Sequence, residues 1–518
     1  MKTGDYRRDY AAYAAALERA RYDYHTGATP ELRLAPLQDR YADLWTRDSI
    51  EDLKRACEEI SSHFETERVA LTALVRAAQL GYVEAHAADV TRELALCEAS
   101  ARVVWDGAKL AASDVPDTLA SEPDAARRRE LSARWFDALQ ACHDLRAARL
   151  DALREAARAL DSNSYFGFLS GVAGETGVEN LSRRVEDFLA RTASIYNTTL
   201  FAWSARHLPP DLARAPVYAD SLFLLRLSHL DPFFPARELR ATYEATMQGL
   251  GIRPGQQHNV HFETTTQEIG SVRAACYALR APEDVRLVHR SEDGASVYQT
   301  FFAAAGGAQN FAWVSRDLAA RYPELVHAPD DATRAGFQLL FADLLADAAW
   351  LAAHRNIRPS EANEIARSFA FAGLQRTRRA SVRLQQEQIL DQAAEPRDAQ
   401  LAEGYANAFE EALGFRTHPA LHLRDLIPGD PRDARDTHEH LQPVAYLRAR
   451  LFATSLGEYF RTHYGHRWWA SRKAADELID LWNTGARYNV EELASLAGLG
   501  ALDFDLLADS TEAALRGE

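Results

Sequence analysis

The chain has 518 residues, 47% hydrophobic, 26% charged and 10% aromatic, with 75 acidic against 59 basic residues and a formal charge of −16. This much apolar content excludes a disordered protein, and the acidic balance argues against a nucleic-acid backbone or an anionic membrane as partner. Lys2, Lys54, Lys109 and Lys473 are the only lysines; with alanine also abundant, the arginine excess reads as coding bias and carries no phosphate signal. Residues 1–21 lack an apolar signal-type run, and no stretch reaches the ~18 apolar residues of a membrane helix. The expectation is a soluble, cytoplasmic protein. Cys57, Cys97, Cys142 and Cys276 show no CxxC or Cys/His spacing, which excludes a zinc ribbon and predicts reduced thiols packed as small hydrophobes.

Residues 1 to about 250 read as helix after helix. Leu53, Cys57, Ile60 and Phe64 recur at helical spacing, and Arg128 through Leu160 carries Leu131, Trp135, Leu139 and Cys142 on one face. Pro30, Pro36, Pro116, Pro123, Pro209, Pro210, Pro232 and Pro235 mark the breaks. The punctuation Gly249-Leu-Gly-Ile-Arg-Pro-Gly255 then divides a helical N-terminal lobe, 1–250, from a second lobe, 251–518. Short β-like runs follow at Val260–Glu263, Val272–Leu279 and Val285–His289, predicting one small sheet near 258–290. Helical pattern covers most of the rest. The stripe Ala475, Leu478, Leu481 and Trp482 stops at Gly485, a residue suited to a helix C-cap, and Asp425 to Arg435 reads as a long connection. The predicted fold is mainly α with one embedded sheet.

Over about residues 225–500 the order of blocks carries a further signal. These are Pro282-Glu-Asp-Val-Arg-Leu-Val288, Tyr298-Gln-Thr300, Gly336-Phe-Gln-Leu-Leu-Phe341 with Trp350-Leu351, Tyr446-Leu-Arg-Ala449, Gly465-His-Arg-Trp-Trp469 and Leu481-Trp-Asn-Thr-Gly485. The series resembles thimet oligopeptidase and oligoendopeptidase F, zinc metallopeptidases of the gluzincin type. The resemblance implies a large two-lobed helical fold around a central channel.

That family's chemistry needs HExxH on a helix: histidines at i and i+4 share a face and hold Zn²⁺, and the adjacent glutamate handles the proton of the attacking water. A glutamate on a following helix completes the ligand set. The resemblance puts the first histidine at Ala303, the general base at Ala304, the second histidine at Gly307 and the third ligand at Ala335. Methyl groups and hydrogens cannot ligate zinc, and no histidine or acid occurs from Tyr298 through Trp313. Zinc, expected for the family, is predicted absent. Gly306-Gly307 also costs about 1 kcal/mol per glycine relative to alanine, which predicts a looser or shorter helix there.

Several groups remain as candidates for binding. Arg334 borders the former metal position and Arg273 sits on a neighbouring strand-like run, a pair that could hold an anion or form structural salt bridges with Glu263, Glu268 or Asp331. His438 and His440 fall in the region resembling the family's substrate-binding segment, Gln442 stands where the family has a substrate-contacting tyrosine, and Tyr446 lies in its cleft-facing helix. His261 and Glu263 share one face of a strand and could form a two-ligand edge. His418 with His422 could lie at i and i+4, but Pro419 weakens a helical pair, and His463 with His466 read as a helix C-terminus where histidine complements the dipole. No GxGxxG, GxxxxGK[ST] or GxSxG motif occurs. The leading expectation is a non-catalytic relative that binds a peptide, small ligand or protein partner. The alternatives are repurposed chemistry using His261, Glu263, His438, His440, Tyr446 and Arg334; a structural role, which filled space around Ala303–Gly307 would favour; and a zinc peptidase with relocated ligands.

Overall fold

The apolar stripes of the sequence become helices throughout: the chain is mainly α, 73% helix and 6% strand. The computed structural model describes residues 2–173, 178–265, 273–327, 331–427 and 443–517. Two compact units are formed. Unit 1 comprises Met1–Ala85, Pro232–Ala366 and Arg435–Leu507; unit 2 comprises His86–Asp231, Arg367–Ala434 and Ala508–Glu518. Each unit draws on both sides of residue 250, so the cut expected there is not the boundary between them. The Gly249–Gly255 punctuation is instead a helix end inside unit 1, with Gly251 turning the chain at φ +76°, a conformation open to glycine.

Unit 1 contains α1 (Thr3–His25), α2 (Ala236–Gly249), the strands β1 (Val260–Thr265), β2 (Ala274–Arg280) and β3 (Asp284–Arg290), then α3 (Ala295–Ala312), α4 (Ala332–Ala342), α5 (Pro443–Tyr464) and α6 (Arg472–Asn483). The sheet order is β1-β3-β2, with β1 parallel and β2 antiparallel to β3. The strand runs therefore fall where alternation placed them, although Val272 lies outside the described residues. In α6, Ala475, Leu478, Leu481 and Trp482 are buried. Gly485 follows at φ +58°, where a Cβ would lie 2.7 Å from the Leu325 carbonyl oxygen. Among the described residues no single helix is long and apolar enough to cross a membrane; one consecutive pair, Ala332–Ala346 with Ala348–His354, meets the length and composition but is bent by 74°.

Four expectations need correction. The sheet near 258–290 is not alone: in unit 2, Arg102–Trp105 pairs antiparallel with Ala108–Ala111 in a second, two-stranded sheet. Cys97 and Cys142 are joined in a disulfide across 45 residues of sequence, in unit 2, with Cα atoms 6.0 Å apart; Cys57 and Cys276 are free. The pairing arises because the helix Ala88–Ser100 lies against the helix His143–Ala159, a proximity that sequence spacing does not carry. The segment 128–160 is two helices, Ala125–Gln140 and His143–Ala159, broken at Cys142. The first stripe stops early as well: its helix ends at Glu59, and Phe64 is 63% exposed.

Candidate functional site

Gly294, at φ +140°, turns the chain from β3 into α3. Tyr298, Phe301 and Phe302 then bury the first turns: the Tyr298 hydroxyl donates to the Pro235 carbonyl at 2.9 Å, and Phe302 meets Trp350 edge to face at 5.1 Å. The helix continues unbroken through Gly306-Gly307 to Ala312, so the expected loosening does not occur. Packing supplies the reason. A Cβ on Gly306 would lie 2.5 Å from the Phe337 carbonyl oxygen; one on Gly307 would lie 2.8 Å from Gln338 Nε2 and 3.0 Å from Cys276 Sγ; one on Gly336 would lie 2.5 Å from a Phe452 ring carbon. The glycines let α3, α4 and α5 approach at backbone distance.

Ala303, Ala304, Gly307 and Ala335 are all buried in this seam. Gln338, one turn beyond Ala335, fills the space beside Gly307 with its amide. The residues present do not fit zinc: the first two offer methyl groups, and the third is pressed against a neutral side chain. Among the described residues no group of three or more His, Cys, Asp and Glu side chains is placed to share a metal ion.

Beside the seam, still in unit 1, lies a partly exposed polar cluster, with the Arg334 side chain 29% and the Asp331 side chain 45% exposed. Arg334 pairs with Asp331 and stacks over the Phe311 ring at 5.0 Å. Burial works against the Arg334 charge, but Asp331, Cys276 and Glu18 together hold its pKa above the ordinary value. Glu18 accepts from the Ala278 amide at 3.0 Å. Burial pushes the Glu18 carboxyl up, yet Arg21, His327 and Arg334 with that amide bring it below the usual value. The Cys276 thiol is pushed up to about 12, first by burial. Arg334 is thus held by carboxylates of its own chain. Arg273 precedes β2, where its carbonyl accepts from the Arg290 amide at 2.8 Å. Tyr446 is buried in the first turn of α5 and adds to the field on Arg450, which pairs with Asp343. His438, His440 and Gln442 lie outside the described residues.

The sheet brings His261 and Glu263 together with groups that sequence reasoning did not single out. Parallel register sets His261 opposite Arg286. The Arg286 guanidinium donates to Asp284 Oδ1 at 2.6 Å and to Glu263 Oε1 at 2.7 Å, while Tyr22 of α1 donates to Glu263 Oε2 at 2.7 Å. His261 Nε2 stands 3.6 Å from Asp284 Oδ1. The Arg286 hydrogen bonds hold Asp284 below the usual carboxylate range, and Asp284 raises Arg286 in return. This His–Asp–Arg–Glu–Tyr chain borders a cavity of about 350 Å³, whose walls include Arg240, Tyr243, Phe262, His261, Glu263 and Arg286. A signal for it was present: Asp284-x-Arg286 and His261-x-Glu263 are each spaced to share one strand face. The other missed residue is Gln309, which bonds Tyr243, Trp313 and, reciprocally, Gln257 at 2.9–3.0 Å.

Three further histidines pack or bond within their own units. In unit 2, His418 stacks on Phe136 at 4.8 Å and His422 is buried, its pKa lowered to about 4 by that burial. In unit 1, His463 Nδ1 lies 2.9 Å from the Tyr459 carbonyl in the last turn of α5. No family model matches the chain, and no curated protein matches it.

Proposed function

We propose that this chain is a non-catalytic relative of the oligoendopeptidase F and thimet oligopeptidase metallopeptidases, one that binds a peptide, a small ligand or a protein partner without cleaving it. The seam carries the non-catalytic part of the reading; its filled space also favours a structural role, so the binding part rests on the open groove of unit 1. At 303, 304, 307 and 335 no side chain carries a ligating atom, and a side chain at 307 would meet Gln338 and Cys276 at contact distance. The order sheet, α3, α4, α5 also supports it, since the blocks resembling the family fall on those elements in that sequence. Unit 1 keeps open surface suited to binding. A groove of about 1710 Å³ is lined by Gln248, Arg253, Trp313, Arg316, Arg472 and neighbours. It shares Glu244, Pro254 and Gly255 with the cavity beside β1.

Elemental analysis of the purified protein before and after chelation, run beside a peptide-cleavage assay, tests this. The expected result is less than about a tenth of an equivalent of zinc, where a true protein zinc site would retain the metal, and no chelator-sensitive cleavage. A full equivalent of zinc with chelator-sensitive cleavage overturns it.

A further inference from the structure

The first helix is held in two different ways along its length. In its first half Tyr6, Tyr10 and Ala14 are buried. The Tyr6 hydroxyl donates to the Leu44 carbonyl at 2.9 Å, the Tyr10 hydroxyl to the His327 carbonyl at 3.0 Å, and Arg7 bridges Glu67 and Glu324. From Ala15 to His25 no residue belongs to the buried core. Glu18, Tyr22 and His25 recur there at i, i+4 and i+7, on one helix face, and each makes one bond to the sheet. Glu18 accepts from the Ala278 amide at 3.0 Å, Tyr22 donates to Glu263 at 2.7 Å, and His25 Nδ1 lies 2.5 Å from the Tyr277 hydroxyl. Tyr22 also packs against the apolar cluster of Tyr277, Leu279 and Val288. The second half of α1 therefore docks largely through a carboxylate, a phenol and an imidazole.

Two groups at this contact gain charge in acid. His25 faces Glu18, Arg21 and the Tyr24 ring on its own helix and Tyr277 on β2. His327 faces Glu18 and Arg21 on α1, and Arg334 of α4 with Asp331 just before it. With both histidines neutral, the carboxylates of Glu18 and Asp331 balance the guanidinium groups of Arg21 and Arg334. Protonating the imidazoles adds two positive charges to that balanced set, within a contact that burial makes unfavourable for them.

We propose that residues 17–25 of α1 form a strap over β2 that acid lifts, while the first half of the helix stays anchored. Burial, with Arg21, lowers His25 to about 4 in the docked helix, against about 6.5 in a released one. Burial here outweighs the helix C-terminus, whose dipole favours a charged histidine. The released state binds more protons, so docking is intact above about pH 6.5 and weakens as the pH falls. Between pH 7 and 5 these two values lower the docking constant about 20-fold. His327, lowered first by its burial, acts in the same direction.

The test follows amide exchange in the full chain at pH 7 and pH 5, expressed as protection over the intrinsic rate at each pH. The Ala278 amide and the amides of 17–25 are expected to lose at least tenfold in protection, since a released segment of about nine residues is too short to hold a helix alone. The amides of 303–312 in α3, also in unit 1, are expected to change less than threefold. In His25→Asn, which keeps a hydrogen-bonding group but takes up no charge, the loss at Ala278 should shrink severalfold. Comparing Ala278 with 303–312 is done within the native chain, so it decides the matter even if that variant does not fold. Unchanged protection at Ala278, an equal loss at 303–312, or a folded His25→Asn that loses as much as the native chain would each overturn the proposal. None of these outcomes touches the non-catalytic reading, which zinc content and cleavage decide.

Discussion

Two regions of unit 1 meet the solvent in opposite ways. At the seam of α3, α4 and α5, glycine and alanine bring helix backbones together, and Ala303, Ala305 and Ala308 have no exposed surface. At the edge of β1, side chains of alternating character surround an open trough, and the charged groups on it are a fifth to two-fifths exposed. The seam is where a resemblance to peptidases would put chemistry, and it holds packing. The edge, marked in the sequence only by the pair His261 and Glu263, holds backbone and charge at partial exposure. Small residues in a helix register let backbones meet at contact distance, and they leave no side-chain ligand at the same positions.

Installing the metal ligands of the resembled family should break this contrast most severely. The combined change Ala303→His, Ala304→Glu, Gly307→His and Ala335→Glu adds four large polar groups to a closed contact. Overpacking costs about 1–3 kcal/mol per site and uncompensated buried charge adds to it, so the variant should not fold and should retain no zinc. A folded variant carrying one equivalent of zinc by elemental analysis would mean the seam is open enough to be a vacated site. Next in size is Gly306→Ala, whose methyl group would sit 2.5 Å from the Phe337 carbonyl oxygen; denaturant titration should show a loss of about 2–3 kcal/mol. Gly373→Ala, in a helix position with nothing within 4 Å of the added carbon, should instead stabilise by up to about 1 kcal/mol through helix propensity. Equal effects at the two glycines would remove the packing argument.

Acid should weaken the ground between the two regions, where α1 meets β2. The Tyr277 hydroxyl lies 2.5 Å from His25 Nδ1, and burial, with help from Arg21, lowers His25 to about 4; burial likewise lowers His327. A histidine whose folded pKa lies below its unfolded value near 6.5 binds fewer protons in the folded state. Its contribution is therefore intact above about pH 6.5 and falls away as the pH drops toward 4. At about 1.4 kcal/mol per pH unit, His25 alone accounts for roughly 3 kcal/mol lost across that window. Stability measured from pH 7 to 4 should fall steeply in the native chain and less steeply in His25→Asn, which keeps an acceptor near Nδ1. Parallel slopes would show that His25 is not the proton-binding group.

The sequence made one of the two regions legible and the other only in pieces. Strand alternation placed the three strands within a few residues, and the glycine after Trp482 marked the end of α6, because both signals are local. The emptiness of 303, 304, 307 and 335 was equally readable. What Gly306 and Gly307 gain by it was not, since the compensating partners Phe337, Gln338 and Cys276 come from other elements. The same holds for Cys97 and Cys142, whose pairing depends on two helices lying side by side, and for Glu263, whose partners Tyr22 and Arg286 lie on two other elements. His261 and Glu263 could be matched as a pair from strand period alone; the guanidinium between Asp284 and Glu263 required the parallel register of β1 with β3.

The smallest expected effect is also the one that separates the two regions most cleanly. Tyr22 donates to Glu263 at 2.7 Å, and Glu263 is 28% exposed. In a half-solvated setting water can replace either partner, so Tyr22→Phe and Glu263→Gln should each cost no more than about 1 kcal/mol, with a coupling of a few tenths to 1 kcal/mol in the double-mutant cycle. Arg286 keeps Asp284 when Glu263 loses its charge, so no guanidinium is stranded. A cycle that returned 3 kcal/mol or more would place Glu263 in the same category as Gly306, a group the fold cannot spare. The edge of β1 would then be a second piece of structural packing, with no surface left over for a partner. A small coupling leaves the carboxylate able to exchange its present neighbours for water at little cost to the fold, which is the behaviour of open surface.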